Sequence, residues 1–275
     1  MTKTTGLWPV LFLWGFFAQQ VHAQPPVTSQ AVIGIIIDDM GKRLETGRRV
    51  LALPGPVACA FLPHASHTRE LANQANDHGR EVLLHLPMDS VDGRPLDAGA
   101  VTLQMTKSEF VGTVLENLQR VPHVIGVNNH MGSLLTRHPG HMRWLMETLQ
   151  HQGTLFFVDS RTTRATVALQ VAEETGVPGI RRNVFLDNSH DKKDIAFQFD
   201  RLVALAREQG TALAIGHPYP QTLAVLEQRL PQLAKMGIRL VPVRKLIEQQ
   251  QEGEKTWQAY WSPSRRDAKN SKPSL

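Results

Sequence analysis

Short apolar runs alternate with longer amphipathic stretches from about residue 32 to residue 247. The runs at 32–37, 57–62, 81–86, 123–127, 154–158, 184–186, 211–215 and 238–241 predict β-strands. Several are apolar at consecutive positions, as in the isoleucine-rich run 32–37, which fits strands covered on both faces. Between them, residues 107–120, 140–151, 164–175, 193–209 and 221–236 carry helical periodicity. The helix over 107–120 opens on Thr106 and Glu109, spaced as a capping box in which hydroxyl and carboxylate satisfy each other's free amides. Residues 87–105 have too little periodicity for either element and read as one long loop.

Consecutive βα units without a break in composition predict an α/β protein with a parallel sheet. Seven or eight such units favour one closed or nearly closed barrel; an open doubly wound sheet is the alternative, and either architecture places ligands at the C-terminal ends of the strands. The length, 275 residues with 41% apolar, accommodates one core of barrel size.

Polar residues fall where that architecture would use them. Asp38 and Asp39 follow the first run, His64 the second and His85 sits in the third. Asn128, Asn129 and His130 follow the fourth, Asp159 the fifth, Asp187 the sixth and His217 the seventh. Asp and Asn at such junctions also serve as helix N-caps, but histidine is not a preferred cap and recurs in this slot. In a parallel barrel these strand ends meet on one face, so residues far apart in order converge on one cleft. Imidazole and carboxylate together form the ligand set of zinc and similar divalent metals, so a divalent metal, zinc first, is the expected cofactor. The sequence contains no HExxH, P-loop, GxSxG or GxGxxG pattern, which leaves metalloprotease-helix, nucleotide and α/β-hydrolase chemistry without a motif.

The N-terminus carries Lys3, the apolar run from Leu7 to Phe17 and then Val21-His22-Ala23, the layout of a secretory leader cleaved after Ala23. The run is short of the roughly 20 residues of a membrane span. The expected organisation is a leader over 1–23, a linker over 24–31, one domain over 32–250 and a disordered polar tail over 251–275, with a periplasmic or secreted location and no stable membrane span. A lone Cys59 in an apolar run has no partner for an internal disulfide and reads as a buried small hydrophobe. Of the net charge of +5, the leader holds one unit and the segment after Gln251 two, so the body is weakly basic. With no basic stripe interleaved with aromatics, nucleic acid is not an expected partner.

Five segments carry a resemblance. Ile-Ile-Ile-Asp-Asp-Met-Gly (35–41), Leu-His-Leu-Pro-Met-Asp (84–89), Gly-Val-Asn-Asn-His-Met-Gly-Ser (126–133), Phe-Val-Asp-Ser (157–160) and Gly-His-Pro (216–218) look like the divergent polysaccharide deacetylases, relatives of the NodB-type carbohydrate esterases. The resemblance implies a distorted (β/α) barrel of seven to eight strands. It also implies that Asp38 serves as base, Asp39 as metal ligand and His217 as general acid. The His-Ser/Thr-x-x-His metal motif and the Arg-x-Pro-Tyr segment of the NodB-type enzymes are missing here. His85 takes the third-strand position, and the second ligand falls to His130, with Asp89 competing.

The implied reaction is removal of N-acetyl groups from an amino-sugar polymer, peptidoglycan being the candidate in that compartment. Asp39, His85 and His130 would hold the metal, Asp38 would take a proton from water, and His217 would protonate the leaving amine. Asp159 is placed to orient an imidazole, and Asn128, Asn129 and Asp89 to line the rim. Two other readings compete: a non-catalytic envelope barrel that binds a glycan or protein partner, and an inverting glycosidase using Asp38 and Asp159 about 6.5–9.5 Å apart.

Overall fold

A computed structural model describes residues 30–261; the expected leader and most of the linker lie outside them. Nine strands form one sheet: β1 (Val32–Met40), β2 (Ala58–Phe61), β3 (Val82–Met88), β4 (Val124–Met131), β5 (Phe156–Asp159), β6 (Gly179–Arg181), β7 (Val184–Phe185), β8 (Thr211–Gly216) and β9 (Arg239–Leu240). The helices are α1 (Leu44–Leu51), α2 (Thr68–Asp77), α3 (Lys107–Arg120), α4 (Pro139–His151), α5 (Ala168–Glu174), α6 (Lys192–Gln209), α7 (Pro220–Arg229) and α8 (Val243–Trp261). The expected capping box of α3 is present, with Thr106 and Glu109 bonded reciprocally. The expected helix 221–236 divides: α7 gives way to a 3-10 segment at Leu230–Met236, where Pro231 withholds the amide a continuing α-helix needs.

The strand order is β6-β5-β4-β3-β2-β1-β8-β7, with β9 joined to β1 at Val32 and Ile33. Every strand pairing is parallel, so the distorted barrel expected from sequence is the fold observed. Its distortion has a visible cause. Residues 179–186 pair first with β5 and then with β8. Between the two, Arg182 N–H donates to Asp159 O and Asn183 N–H to Leu213 O, each at 2.9 Å. The wall is thus completed by one extended segment changing partner. Strand β6 escapes a reading of apolar runs because its three residues include one buried apolar side chain, Ile180.

Side-chain alternation sorts the strands into two cores. Ile33, Ile35 and Ile37 of β1 face outward with Leu84, Leu86 and Phe157 and pack under the helices. Val32 and Ile36 face inward with Ala58, Ala60, Leu83, Phe156, Val158, Leu213 and Ile215. Helix α8 closes the N-terminal end of the barrel by adding Val243, Leu246 and Ile247 to this inner core. It runs on to Trp261, which corrects the expected disordered tail over its first part. From Val243 to Trp261 the sequence has Gly253 as its one strong breaker, so its polarity does not by itself argue against a helix.

Two bulges set the phase of the functional strands. In β4, Val82 pairs with Val124 but Leu83 with Gly126, leaving Ile125 as an extra residue. Ile125 and Gly126 both turn inward, and Gly126 must be glycine because a Cβ there would lie 2.5 Å from the Phe156 ring. Beyond the bulge, Asn128 and His130 therefore face the interior. In β1, Ile37 pairs with Cys59 but Met40 with Phe61, so two residues stand opposite one. Met40 returns to the outer core, and Asp38 and Asp39 both turn inward. Asp39 adopts the left-handed region at φ 55°, a conformation that costs a non-glycine residue roughly 1–3 kcal/mol.

Candidate metal and catalytic centre

Above the apolar interior the barrel changes character. Asp38 and His85 are buried at their strand ends, and His85 Nε2 lies 3.6 Å from Asp38 Oδ2 and 3.4 Å from Asp39 Oδ1. His130 Nδ1 lies 3.2 Å from the same Asp39 oxygen and 3.0 Å from His85 Nε2. Asp39, His85 and His130 are thus brought together as expected, although the aspartates and His130 belong to the strands themselves rather than to the loops after them.

The three atoms fit a shared divalent cation. Tetrahedral ligands at about 2.1 Å from zinc stand about 3.4 Å from one another. The triangle edges here are 3.4, 3.2 and 3.0 Å. Asp39 Oδ1 is buried without an aligned hydrogen bond, although both imidazoles stand within 3.4 Å of it. An oxygen so placed costs folding energy unless something positive shares it. The outer nitrogens are occupied: His85 Nδ1 lies 2.9 Å from Asn128 Oδ1, and His130 Nε2 lies 3.0 Å from Asp97 Oδ2.

The two adjacent carboxyls are driven apart in acidity. Burial pushes the Asp38 carboxyl up, and the opposing pull of His85, His217 and Asn128 does not cancel it. Burial also acts to raise Asp39, but His130 and His85 outweigh it and hold that carboxyl well below the usual range. Asp39 is thereby favoured in the ionised form, while its neighbour Asp38 holds a proton more readily than an ordinary carboxyl.

A second imidazole system stands at the end of β8, the strand paired with β1. His217, after β8, sets Nδ1 2.9 Å from Asp187 Oδ1, and its backbone N–H donates to Asp187 Oδ2 at 2.6 Å. Thr222 Oγ1 donates to that same oxygen at 2.8 Å. Burial alone would depress the His217 imidazole; Asp187, helped by Asp38 and Asp39, raises it instead. Asp39 and His217, at the ends of the paired strands β1 and β8, line a cleft of about 410 Å³ that Lys42, Arg43, Thr46 and Tyr219 also border.

Several expected roles move. Asp159 orients no imidazole: its oxygens accept from Arg161 N at 2.8 Å and Thr166 Oγ1 at 3.0 Å, holding the turn after β5. Asp187 performs the orienting task instead. Asp89 stands outside the ligand group, and its backbone ties the long loop to Val101, Leu134 and Leu135. Asn129 is also a fastener, accepting from Ser160 N and donating to Met131 O. His64 meets Asn117 at 3.3 Å beside the long loop. Sequence reasoning missed Asp97 and Lys42; Asp97 lies in the loop 87–105, where no period announces any position.

The fold is a parallel barrel that carries a carboxylate–imidazole cluster at its strand ends. The profile of the divergent polysaccharide deacetylases matches residues 35–247, and the chain belongs to that family. It is 38% identical over 235 residues to the uncharacterized protein YibQ of Escherichia coli K12, covering 86% of this chain and 73% of YibQ. Among solved structures, protein ATU2773 of Agrobacterium tumefaciens C58 is similar with a TM-score of 0.75 at 18% identity, covering 82% of this chain and 92% of that one. The peptidoglycan deacetylase PdaC of Bacillus subtilis shares the fold at a TM-score of 0.53 and 13% identity, covering 85% and 98%.

Proposed function

We propose that this protein is an exported, zinc-dependent deacetylase of N-acetylated amino-sugar polymers, with peptidoglycan as its substrate class. The observation that carries the reading is the triangle of Asp39 Oδ1, His85 Nε2 and His130 Nδ1 beside a proton-exchanging Asp38. Membership of the deacetylase family supports the substrate class. The leader-like pattern of residues 1–23 supports export, and no helix among the described residues is long and apolar enough to cross a membrane.

Asp39, His85 and His130 would hold the cation, which supplies Lewis acidity toward an amide carbonyl and toward water. Asp38 takes the proton of the attacking water at the carboxyl oxygen that Asn128 leaves unbound. His217, whose protonated form Asp187 favours, delivers a proton to the departing amine. The Asn128 amide donates to Asp38 Oδ1 at 2.8 Å and keeps that carboxyl facing the imidazoles.

One observation favours a non-catalytic envelope barrel. Lys42 sets its ammonium 3.4 Å from Asp39 Oδ2 and 3.8 Å from Asp97 Oδ2, where it supplies positive charge without a metal. Metal analysis of the purified protein together with acetate release from acetylated amino-sugar oligomers separates the two. About one zinc per chain and acetate release abolished by chelation are expected. A metal-free protein that binds oligomers without releasing acetate would establish the binding role instead.

A further inference from the structure

We infer that Asn128 and Asp97 are positioning residues that fix opposite tautomers on the two cluster imidazoles, so that His85 offers Nε2 and His130 offers Nδ1 to one cation. The inference deepens the cation-binding part of the proposed function and rests on it.

The argument starts at Asp38. Its carboxylate oxygen accepts, so the group facing it must donate, and Asn128 Nδ2 lies 2.8 Å from Asp38 Oδ1. The same Nδ2 lies 3.4 Å from Ser160 Oγ, a second contact on the same side of the amide. With the nitrogen thus placed, Asn128 Oδ1 faces His85, and a carbonyl oxygen only accepts. His85 Nδ1, 2.9 Å away, must therefore carry the proton, which leaves a lone pair on Nε2. Nε2 lies 3.4 Å from Asp39 Oδ1.

His130 is fixed from the other end. Carboxylate oxygens stand at both of its nitrogens, Asp97 Oδ2 3.0 Å from Nε2 and Asp39 Oδ1 3.2 Å from Nδ1, so a cation on the shared Asp39 oxygen takes Nδ1 and leaves the proton on Nε2 facing Asp97. The mixed use of Nε2 and Nδ1 follows from where the two residues stand. His85 and Asn128 are paired neighbours in β3 and β4, whereas His130 lies one inward position further along β4 and is reached by the long loop. Asn128 moreover joins the proposed base to a proposed ligand through a single amide. A change there acts on Asp38 and His85 together.

The test is a long-range proton–nitrogen NMR spectrum of histidine-labelled, chelator-treated protein at alkaline pH, followed by zinc titration. With zinc bound, His85 is expected as the Nδ1–H form and His130 as the Nε2–H form; in the chelated protein a proton is shared across the 3.0 Å between His85 Nε2 and His130 Nδ1. Asn128→Asp keeps an acceptor for His85 and is expected to preserve its tautomer. Asn128→Leu removes that acceptor and is expected to release the tautomer and weaken zinc binding about 10- to 100-fold. The His217 signals, held by Asp187, report whether each variant keeps its fold. Should a variant not fold, the wild-type tautomers still decide. Zinc uptake with the proton of His85 on Nε2 would overturn the inference alone. No zinc uptake at all would overturn both the positioning role and the proposed cofactor.

Discussion

The two ends of the barrel each bury carboxylates and treat them in opposite ways. At the N-terminal end, Glu81 is pushed up by burial but accepts the first backbone amides of α8, from Val243 and Arg244. Arg244 in turn donates to Ile125 O at 3.1 Å and Thr154 O at 2.9 Å and stacks 5.2 Å over Phe156. Those groups satisfy one another, and the end is a plug. At the C-terminal end, Asp39 is held in a left-handed conformation with a buried oxygen that no N–H serves. Strain and an unmet acceptor persist where the surroundings over-determine them, and they mark the end built to receive something. The lesson is that burial of charge alone does not identify a site; what identifies it is burial with capacity left over.

The largest test of that contrast is Asp38→Asn. It is expected to lower acetate release by about 100- to 10,000-fold, the range of a lost general base, with the thermal midpoint held. A parallel fall in stability would make the upper end structural as well. Next comes Leu246→Ala in the plug, expected to lose about 2–5 kcal/mol in urea unfolding while zinc stoichiometry is kept. Loss of zinc in that variant would show that the ends are coupled.

A smaller effect concerns His217. Its imidazole is raised in the folded protein, so its contribution to stability is complete below the unfolded value of about 6.5 and is lost as pH rises through the folded value. An NMR titration should find His217 above the ordinary range, and Asp187→Asn should bring it down. An unmoved titration would break the assigned partnership. The smallest effect is expected at Cys59, whose buried thiol is pushed up to about 12. It should resist thiol reagents at neutral pH until the barrel unfolds. Prompt labelling of the native protein would show that the lower half opens.

Strands hidden between helix layers leave long apolar runs, which is why residues 32–37 and 211–215 announced β1 and β8. The convergence of Asp39, His85 and His130 was legible for the same reason, because parallel strands fix which ends meet. The end of an apolar run, however, is not the end of a strand. Asp38, Asp39, Asn128 and His130 lie inside β1 and β4, and only pairing register reveals the bulges that turn them inward. Choosing between Asp159 and Asp187 required knowing which carboxylate stands across from His217, a relation between β7 and β8 that spacing does not encode. Asp97 was illegible because its position depends on the path of an aperiodic loop.

The extra residue Ile125 divides β4 into two stretches that answer differently to a lost codon. Removing Ile125 itself would leave Val124 toward the helices and Gly126 toward the lumen as ordinary neighbours, and Asn128 and His130 would keep their aim. Removing Val127, two positions on, would turn Asn128 and His130 toward the helices and bring Asn129 into the lumen. The same deletion is thus silent on one side of Gly126 and fatal to the cluster on the other.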